Sequence, residues 1–205
     1  MSTLKTGALR GTSGSADSIQ LHASNQSVTF PGAVTVSGGL TGGGKILKVA
    51  STTKNDTTSL TIGTEAWVEA YTYSFTPSAA GSKILLFGFF SVGTNDDQII
   101  NMKIERKVAS GSISNITGAN AASVGSNRKL AHSGAFHTKD TFVCPLPVNY
   151  LDTPSYSLGD AITYYFYFSH GSGSSKSVYI NRHHGDADSA DRARYASTIT
   201  AFEIS

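Results

Sequence analysis

Residues 84–90 have the sequence ILLFGFF, and residues 164–168 have the sequence YYFYF. Aromatic and β-branched residues favour strands, and a half-buried strand alternates apolar with polar side chains. These two segments are instead apolar or aromatic at every position except Gly88, so both faces of each predicted strand are apolar. In an antiparallel sandwich only one face of each sheet meets the core. The outward faces therefore need another cover.

We predict that a second subunit supplies this cover. Aromatic residues are enriched at subunit interfaces, and large exposed apolar patches are rare on monomers. The predicted trimer-interface residues are Phe87, Phe89, Tyr165 and Tyr167. A loop folded over the sheet is the alternative.

The rest of the chain after residue 44 predicts further strands separated by Gly-, Pro- and Asn-containing turns. No segment predicts a helix. Eight or nine strands at this spacing favour an all-β sandwich or jelly roll. The predicted strands are 45–49, 66–75, 83–92, 99–108, 128–136, 140–150, 161–169, 177–182 and 195–204.

The composition changes at Gly42-Gly43-Gly44, which predicts two parts. Residues 1–44 are rich in Ser, Thr and Gly, with short alternating pieces at 19–21, 28–30 and 34–36 that cannot bury a core alone. We predict an extended leader with short strands, ordered by other copies or by a partner. Residues 45–205 are long enough for one compact head domain.

Charge and cysteine content exclude several classes of protein. Of the 205 residues 15% are charged and the net charge is +2, so no global field favours nucleic acid. The single cysteine excludes an intramolecular disulfide framework. No signal peptide is predicted, and the apolar runs are far shorter than the roughly 18 residues of a membrane helix. We predict a protein made in the cytosol, without cofactor and without membrane contact.

The start of the leader combines basic and apolar residues. Such a segment can dock on an acidic or apolar groove of another protein by adding strands to it. The predicted docking residues are Leu4, Lys5, Leu9, Arg10, Ile19 and Leu21.

Four blocks of the head, in order, are similar to a family of phage virion domains. The blocks are residues 45–56, residues 74–78 leading to 82–86, residues 150–154, and residues 178–182 continuing through 186–190 to 197–204. Residues 1–5 and 13–19 also resemble the leaders of structural proteins of marine phages, cyanophages included. The resemblance implies a fibre, appendage or decoration protein of a tailed phage.

The resemblance also implies a jelly-roll head of the C1q/TNF type, a homotrimer, and no catalytic residues. The expected protein is therefore a non-enzymatic virion component, assembled in the host cytoplasm and attached through its N-terminus to other virion proteins. A tail fibre or tail appendage that contacts the host is the main hypothesis. A capsid decoration protein or head fibre is the alternative.

The segment His183-His184 departs from the family pattern, and Asp186 follows it. These three residues define a possible receptor loop, in which case the head would be lectin-like and bind a host surface glycan. The spacing does not supply a regular calcium loop, so a polar connection is preferred and no metal is predicted. Trp67 could stack on a sugar, but a core or interface role is the simpler interpretation. A depolymerase would need paired carboxylates in a cleft, whereas the acidic residues here fall mainly in turns.

Overall fold

The computed structural model describes the side chains of residues 45–122, 128–138 and 142–205, and the backbone of residues 8–9, 19–21 and 28–29. The chain divides into two units, Met1–Gly43 and Gly44–Ser205. In the first unit the described residues form a three-stranded antiparallel sheet in the order β1-β2-β3. Its strands are β1 (Ala8–Leu9), β2 (Ile19–Leu21) and β3 (Val28–Thr29).

The described part of the second unit contains strands and turns but no helix, and so offers no helical candidate for a membrane span. Its named strands pair antiparallel in two sheets. They are β4 (Ile46–Lys54), β5 (Thr58–Ile62), β6 (Val68–Phe75), β7 (Lys83–Thr94), β8 (Gln98–Val108), β9 (Ser114–Asn115), β10 (Ser133–His137), β11 (Cys144–Asp152), β12 (Ile162–His170), β13 (Lys176–Ile180) and β14 (Ser197–Ile204).

The strand order is that of a jelly roll. The six-stranded sheet contains the run β11-β7-β14-β4, and the five-stranded sheet contains the run β10-β8-β12-β6. With the short strands β5, β9 and β13 set aside, the remaining eight numbered along the chain give the orders 6-3-8-1 and 5-4-7-2. Two interlocked Greek keys produce this arrangement. The predicted all-β jelly-roll class is confirmed.

The core lies between the two sheets. Phe90 on β7 contacts Phe166 and Phe168 on β12, with ring centroids 5.0 and 5.6 Å apart. Tyr71 on β6 meets Phe90 at 5.7 Å in an edge-to-face arrangement. Aromatic pairs of this geometry stabilise a core beyond the area that they bury. Around them lie the fully buried side chains Ile62, Ile84, Leu86, Ile100, Met102, Ile104, Leu146, Ile162 and Tyr164.

The sequence-based strand assignments differ from the structure mainly at the edges of the sheets. β5 was not predicted because residues 58–62 contain only two apolar side chains, Leu60 and Ile62. β10 begins at Ser133 and not at residue 128, and β11 begins at Cys144 and not at residue 140. Part of the interval between β10 and β11, residues 139–141, lies outside the described residues. The central strands β7, β8 and β12 lie where the sequence predicts them.

A buried ion pair joins the two sheets. Asp152, at the end of β11, is 1% exposed and pairs with Arg106 on β8. The Tyr164 hydroxyl on β12 donates to the other carboxylate oxygen at 2.8 Å. Burial raises the pKa of Tyr164, and the adjacent Asp152 carboxylate raises it further, so the hydroxyl remains a donor. Asp152 therefore connects β11 of one sheet with β8 and β12 of the other.

A second buried carboxylate fixes the turn before β7. Glu203 on β14 is fully buried and accepts hydrogen bonds from the backbone N–H groups of Ser78 and Ala79 and from the Ser78 hydroxyl. Burial by itself would raise the pKa of Glu203, but these hydrogen bonds outweigh it and lower the pKa. The carboxylate thus takes the place of backbone acceptors that the turn lacks.

His137 is a buried base. Its side chain on β10 is fully buried opposite Gln98, and neither ring nitrogen has a hydrogen-bond partner among the residues that the structure describes. Burial lowers the pKa of His137 to about 4 from an ordinary 6.5. The unfolded chain therefore takes up a proton as the pH falls through 6.5, whereas the folded chain does not until about pH 4.

We expect acidification from pH 6.5 to 4 to destabilise the head by a few kcal/mol through His137, at about 1.4 kcal/mol per pKa unit. His137→Leu removes this part of the pH dependence, because the leucine side chain does not titrate. Urea unfolding at pH 7 and pH 4.5 gives the change in the free energy of unfolding for each protein. The difference between these two changes is the contribution of His137. Equal slopes of stability against pH in the wild type and the variant would contradict the assignment.

Candidate interaction surfaces

The outward face of β7 is apolar and continues across three neighbouring strands. Leu85 lies between Leu151 on β11 and Phe202 on β14, and Val49 on β4 follows Phe202. These four side chains form one uninterrupted apolar row. We call the surface made by Val49, Leu85, Phe87, Phe89, Leu151 and Phe202 the apolar sheet face.

The predicted residues Phe87 and Phe89 occupy the next two rows of this surface. Phe87 is 57% exposed and Phe89 is 40% exposed, whereas Leu86 and Phe90 point into the core. None of the twelve residues in the three rows carries a charge. The rows are Leu151, Leu85, Phe202 and Val49; Asn149, Phe87, Thr200 and Ser51; and Pro147, Phe89, Thr198 and Thr53. Seven of the twelve are apolar and the other five are asparagine, serine or threonine. Exposed apolar patches commonly mark interaction sites.

Tyr165 and Tyr167 lie on the outward face of the other sheet. Both are partly buried, and their cross-strand neighbours on β8 are Glu105 and Lys103. The Lys103 ammonium lies 4.7 Å from the centre of the Tyr167 ring and 2.6 Å from the Glu105 carboxylate. The four residues predicted for one trimer interface are therefore divided between opposite faces of the sandwich, and a single flat contact can use only one pair.

The side chains of the predicted receptor loop are largely bonded to other residues of the head. His183 is 4% exposed, with its ring against Tyr195, so it offers almost no surface to a receptor. His184 shares a 2.7 Å hydrogen bond with the Tyr179 hydroxyl. Asp186 accepts from Arg194 at 3.0 and 3.1 Å, and this partner lowers the pKa of Asp186.

The same loop surrounds a shallow cleft of about 450 Å³. Within the described part of the chain no cluster of three or more His, Cys, Asp or Glu side chains is placed to hold a metal ion. The cleft is lined by Asp186, Ala187, Asp188, Ser189, Arg192 and Arg194.

The predicted docking residues of the leader are described only in part. Leu9 and Ile19 are register partners in the β1–β2 pair, and Leu21 pairs with Val28 on β3. Leu4, Lys5 and Arg10 lie outside the described residues. Virion docking through these six residues stays a prediction.

A basic cleft of about 430 Å³ lies beside Trp67 on the outward face of the five-stranded sheet. The ammonium groups of Lys103 and Lys129 lie 5.2 and 5.5 Å from the centre of the indole ring. Lys129 also donates to the Glu65 carbonyl oxygen at 2.7 Å, and burial lowers the pKa of Lys129. We call this site the Trp67 cleft; its lining residues are Glu65, Trp67, Lys103, Glu105, Asn115, Arg128, Lys129 and Leu130.

A second cleft of about 440 Å³ adjoins it and shares Glu65, Arg128 and Lys129. It continues past Asn101 to the turn after β12, where Gly171, Ser172 and Gly173 contribute to its wall. From the sequence, only Trp67 could be named as a residue for stacking on a sugar. Its basic neighbours were missed because they come from β8 and from the segment before β10, which are distant in sequence and meet only in the fold.

No protein-family model and no curated protein sequence matches the chain. Solved structures with a similar backbone include the infectious bursal disease virus Gx strain, with 12% identity over 76% of this chain and a TM-score of 0.39. The Gt strain of that virus matches with 11% identity over 77% and a TM-score of 0.38. A mutant VP2 protein of the same virus matches with 11% identity over 89% and a TM-score of 0.36. The chain covers 36%, 38% and 40% of the length of these chains.

Proposed function

We propose that this chain is a non-enzymatic structural protein of a tailed-phage virion, a trimeric tail fibre or tail appendage. The support from the sequence is the resemblance to phage virion domains, which extends in order over residues 45–204. Residues 1–44 would attach the protein to the particle, and residues 45–205 would form the head. Three leaders held together bind a particle more tightly than one, because the second and third contacts form within one assembly.

The observation that carries the proposal is the apolar sheet face. Phe87 and Phe89 extend from the central strand of the six-stranded sheet, and no charge interrupts the rows around them. We assign this face to the other copies of the chain and place it beside a three-fold axis, where the same faces of three copies converge and leave no buried charge unpaired. Copies related by a three-fold axis close into a ring, which limits the assembly to three.

Phe87→Asp is expected to convert the trimer to monomers, because each subunit interface would then bury a carboxylate among phenylalanine and leucine side chains. Tyr165→Asp is the matched control on the opposite face and is expected to leave the trimer intact. Size-exclusion chromatography with light scattering gives the molar mass of each full-length protein.

Either of two results would contradict this assignment. A wild-type protein that is monomeric at micromolar concentration would remove the trimer. If Phe87→Asp remains a trimer and Tyr165→Asp becomes a monomer, the subunit interface lies on the five-stranded sheet instead.

The proposed position on the tail is tested separately from the oligomeric state. Phage particles that carry a tagged copy of the chain can be labelled and imaged by electron microscopy. Label on the tail supports the proposal. Label distributed over the capsid would contradict it and favour the decoration protein or head fibre.

A further inference from the structure

We propose that the Trp67 cleft, together with the cleft that adjoins it, binds an acidic saccharide. The site lies on the outward face of the five-stranded sheet, opposite the apolar sheet face. The inference goes beyond the proposed assembly role and does not depend on it. A monomeric protein would keep the same cleft.

The cations of the cleft are only partly neutralised. Lys103 is paired with Glu105 at 2.6 Å, whereas the hydrogen-bond partner of Lys129 is a neutral carbonyl oxygen. Arg128 is exposed and forms no ion pair with any described residue. The Glu65 carboxylate acts on the Lys129 ammonium through its charge but forms no ion pair with it among the described residues. An anionic group that enters the cleft therefore finds the Arg128 guanidinium without an ion pair and the Lys129 ammonium only partly compensated. A guanidinium binds carboxylate or sulfate in a bidentate manner.

Trp67 holds the basic groups in place. Its ring lies within about 5.5 Å of both ammonium groups, a distance at which the ring quadrupole attracts a cation. The two lysine heads are thereby positioned at the wall of the cleft before a ligand arrives, which reduces the entropy lost on binding. Part of the indole stays exposed and can contact the apolar side of a sugar ring.

The remaining lining groups favour a saccharide over other polyanions. Asn101 offers an amide group, Asn115 offers the N–H groups of an amide whose oxygen already accepts from Asn120, and Ser172 adds a hydroxyl. The carboxylates of Glu65 and Glu105 accept hydrogen bonds from sugar hydroxyls, but they repel the closely spaced phosphates of a nucleic acid. A ligand with many hydroxyls and widely spaced negative charges uses both kinds of group.

The chain contains a single tryptophan, so its fluorescence reports on this cleft alone. Full-length protein would be titrated with a galacturonate oligosaccharide, a neutral dextran oligosaccharide of equal length and an oligoglutamate peptide. The galacturonate oligomer is expected to change the Trp67 emission with saturation, and the neutral oligomer is expected to leave it unchanged.

Arg128→Gln and Lys129→Gln are each expected to weaken galacturonate binding about tenfold, the effect of one lost charge-assisted hydrogen bond. Lys107→Gln is the matched control, because Lys107 lies on the same face of β8 but outside both clefts. Thermal melts of the three variants establish that each one is folded.

Three outcomes would overturn the proposal. One is the absence of a saturable response to the galacturonate oligomer. Another is an equal loss of affinity in Lys107→Gln, which would show general attraction to a charged surface. Oligoglutamate that binds as tightly as the oligogalacturonate would make the site one for acidic peptides. None of these results bears on the trimer, which is measured by molar mass.

Discussion

Asp152→Ala is expected to destabilise the head by about 3–5 kcal/mol, the cost of breaking a buried ion pair by removing one partner. The substitution leaves the Arg106 guanidinium, which is mostly buried, without its carboxylate. It also leaves the Tyr164 hydroxyl, which is fully buried, without its acceptor. For a domain of this size, in which 1 kcal/mol shifts the melting temperature by about 2–4 °C, the expected fall is about 6–20 °C. Circular dichroism during heating measures the shift.

Two further variants make this result specific. Asp188→Ala removes an exposed carboxylate and is expected to change stability by less than about 0.5 kcal/mol. Tyr164→Phe removes only the hydroxyl and keeps the ion pair, so a smaller cost of about 1–2 kcal/mol is expected. A melting temperature of Asp152→Ala equal to that of Asp188→Ala would contradict the role assigned to the ion pair.

The central strands could be predicted because local sequence determines them. Ile84, Leu86 and Phe90 alternate with Leu85, Phe87 and Phe89, and the structure buries the first three and turns the others outward. Aromatic and aliphatic residues on both sides of one strand predict a core contact for one face and another cover for the outward face. This pattern can be recognised without knowing which strands are its neighbours. Edge strands give a weaker signal, since residues 58–62 contain two apolar side chains among three hydroxyl residues.

The surfaces could be predicted only in part, because they depend on which strands become neighbours. Tyr165 and Phe87 are equally aromatic in the sequence, yet β12 and β7 belong to different sheets and turn these residues to opposite sides of the molecule. The adjacent strand decides whether an outward aromatic side chain meets a lysine or an uncharged side chain. Lys103 covers Tyr167, while Phe87 has Asn149 and Thr200 as its cross-strand neighbours.

The partners of buried polar side chains likewise cannot be predicted from local sequence. Asp152 is the only acidic residue in residues 150–154, and its partners Arg106 and Tyr164 lie on other strands. The structure supplies a physical reason for a carboxylate at this position. The Trp67 cleft likewise depends on the fold. Trp67 precedes β6, Lys103 is on β8 and Lys129 is in the segment before β10, and the three meet only when these parts of the chain come together.

Gly88→Ala is expected to prevent the head from folding, or to destabilise it by at least about 3 kcal/mol. A Cβ atom at this position would lie 2.9 Å from the carbonyl carbon of Thr198 and closer still to the carbonyl oxygen. The Cα atom of Ile199 is only 3.0 Å away. All three atoms belong to the backbone of β14, which is hydrogen-bonded to β4 on its other side. The strand therefore cannot move aside without breaking its own ladder.

Gly173→Ala is the matched control, because a Cβ atom there has no neighbour within 4 Å. Its melting temperature is expected to stay within about 2 °C of the wild type. Far-UV circular dichroism during heating gives the melting temperature of both proteins. Equal melting temperatures for Gly88→Ala and Gly173→Ala would contradict the prediction, because they would show that β14 can move away from the added methyl group.

Gly88 and Phe87 are adjacent in β7 but have different structural roles. The glycine permits the close approach of β14, and the phenylalanine side chain points outward. Phe87→Asp is therefore expected to change the molar mass while preserving the strand spectrum, whereas Gly88→Ala is expected to lose that spectrum or to lower the temperature at which it is lost.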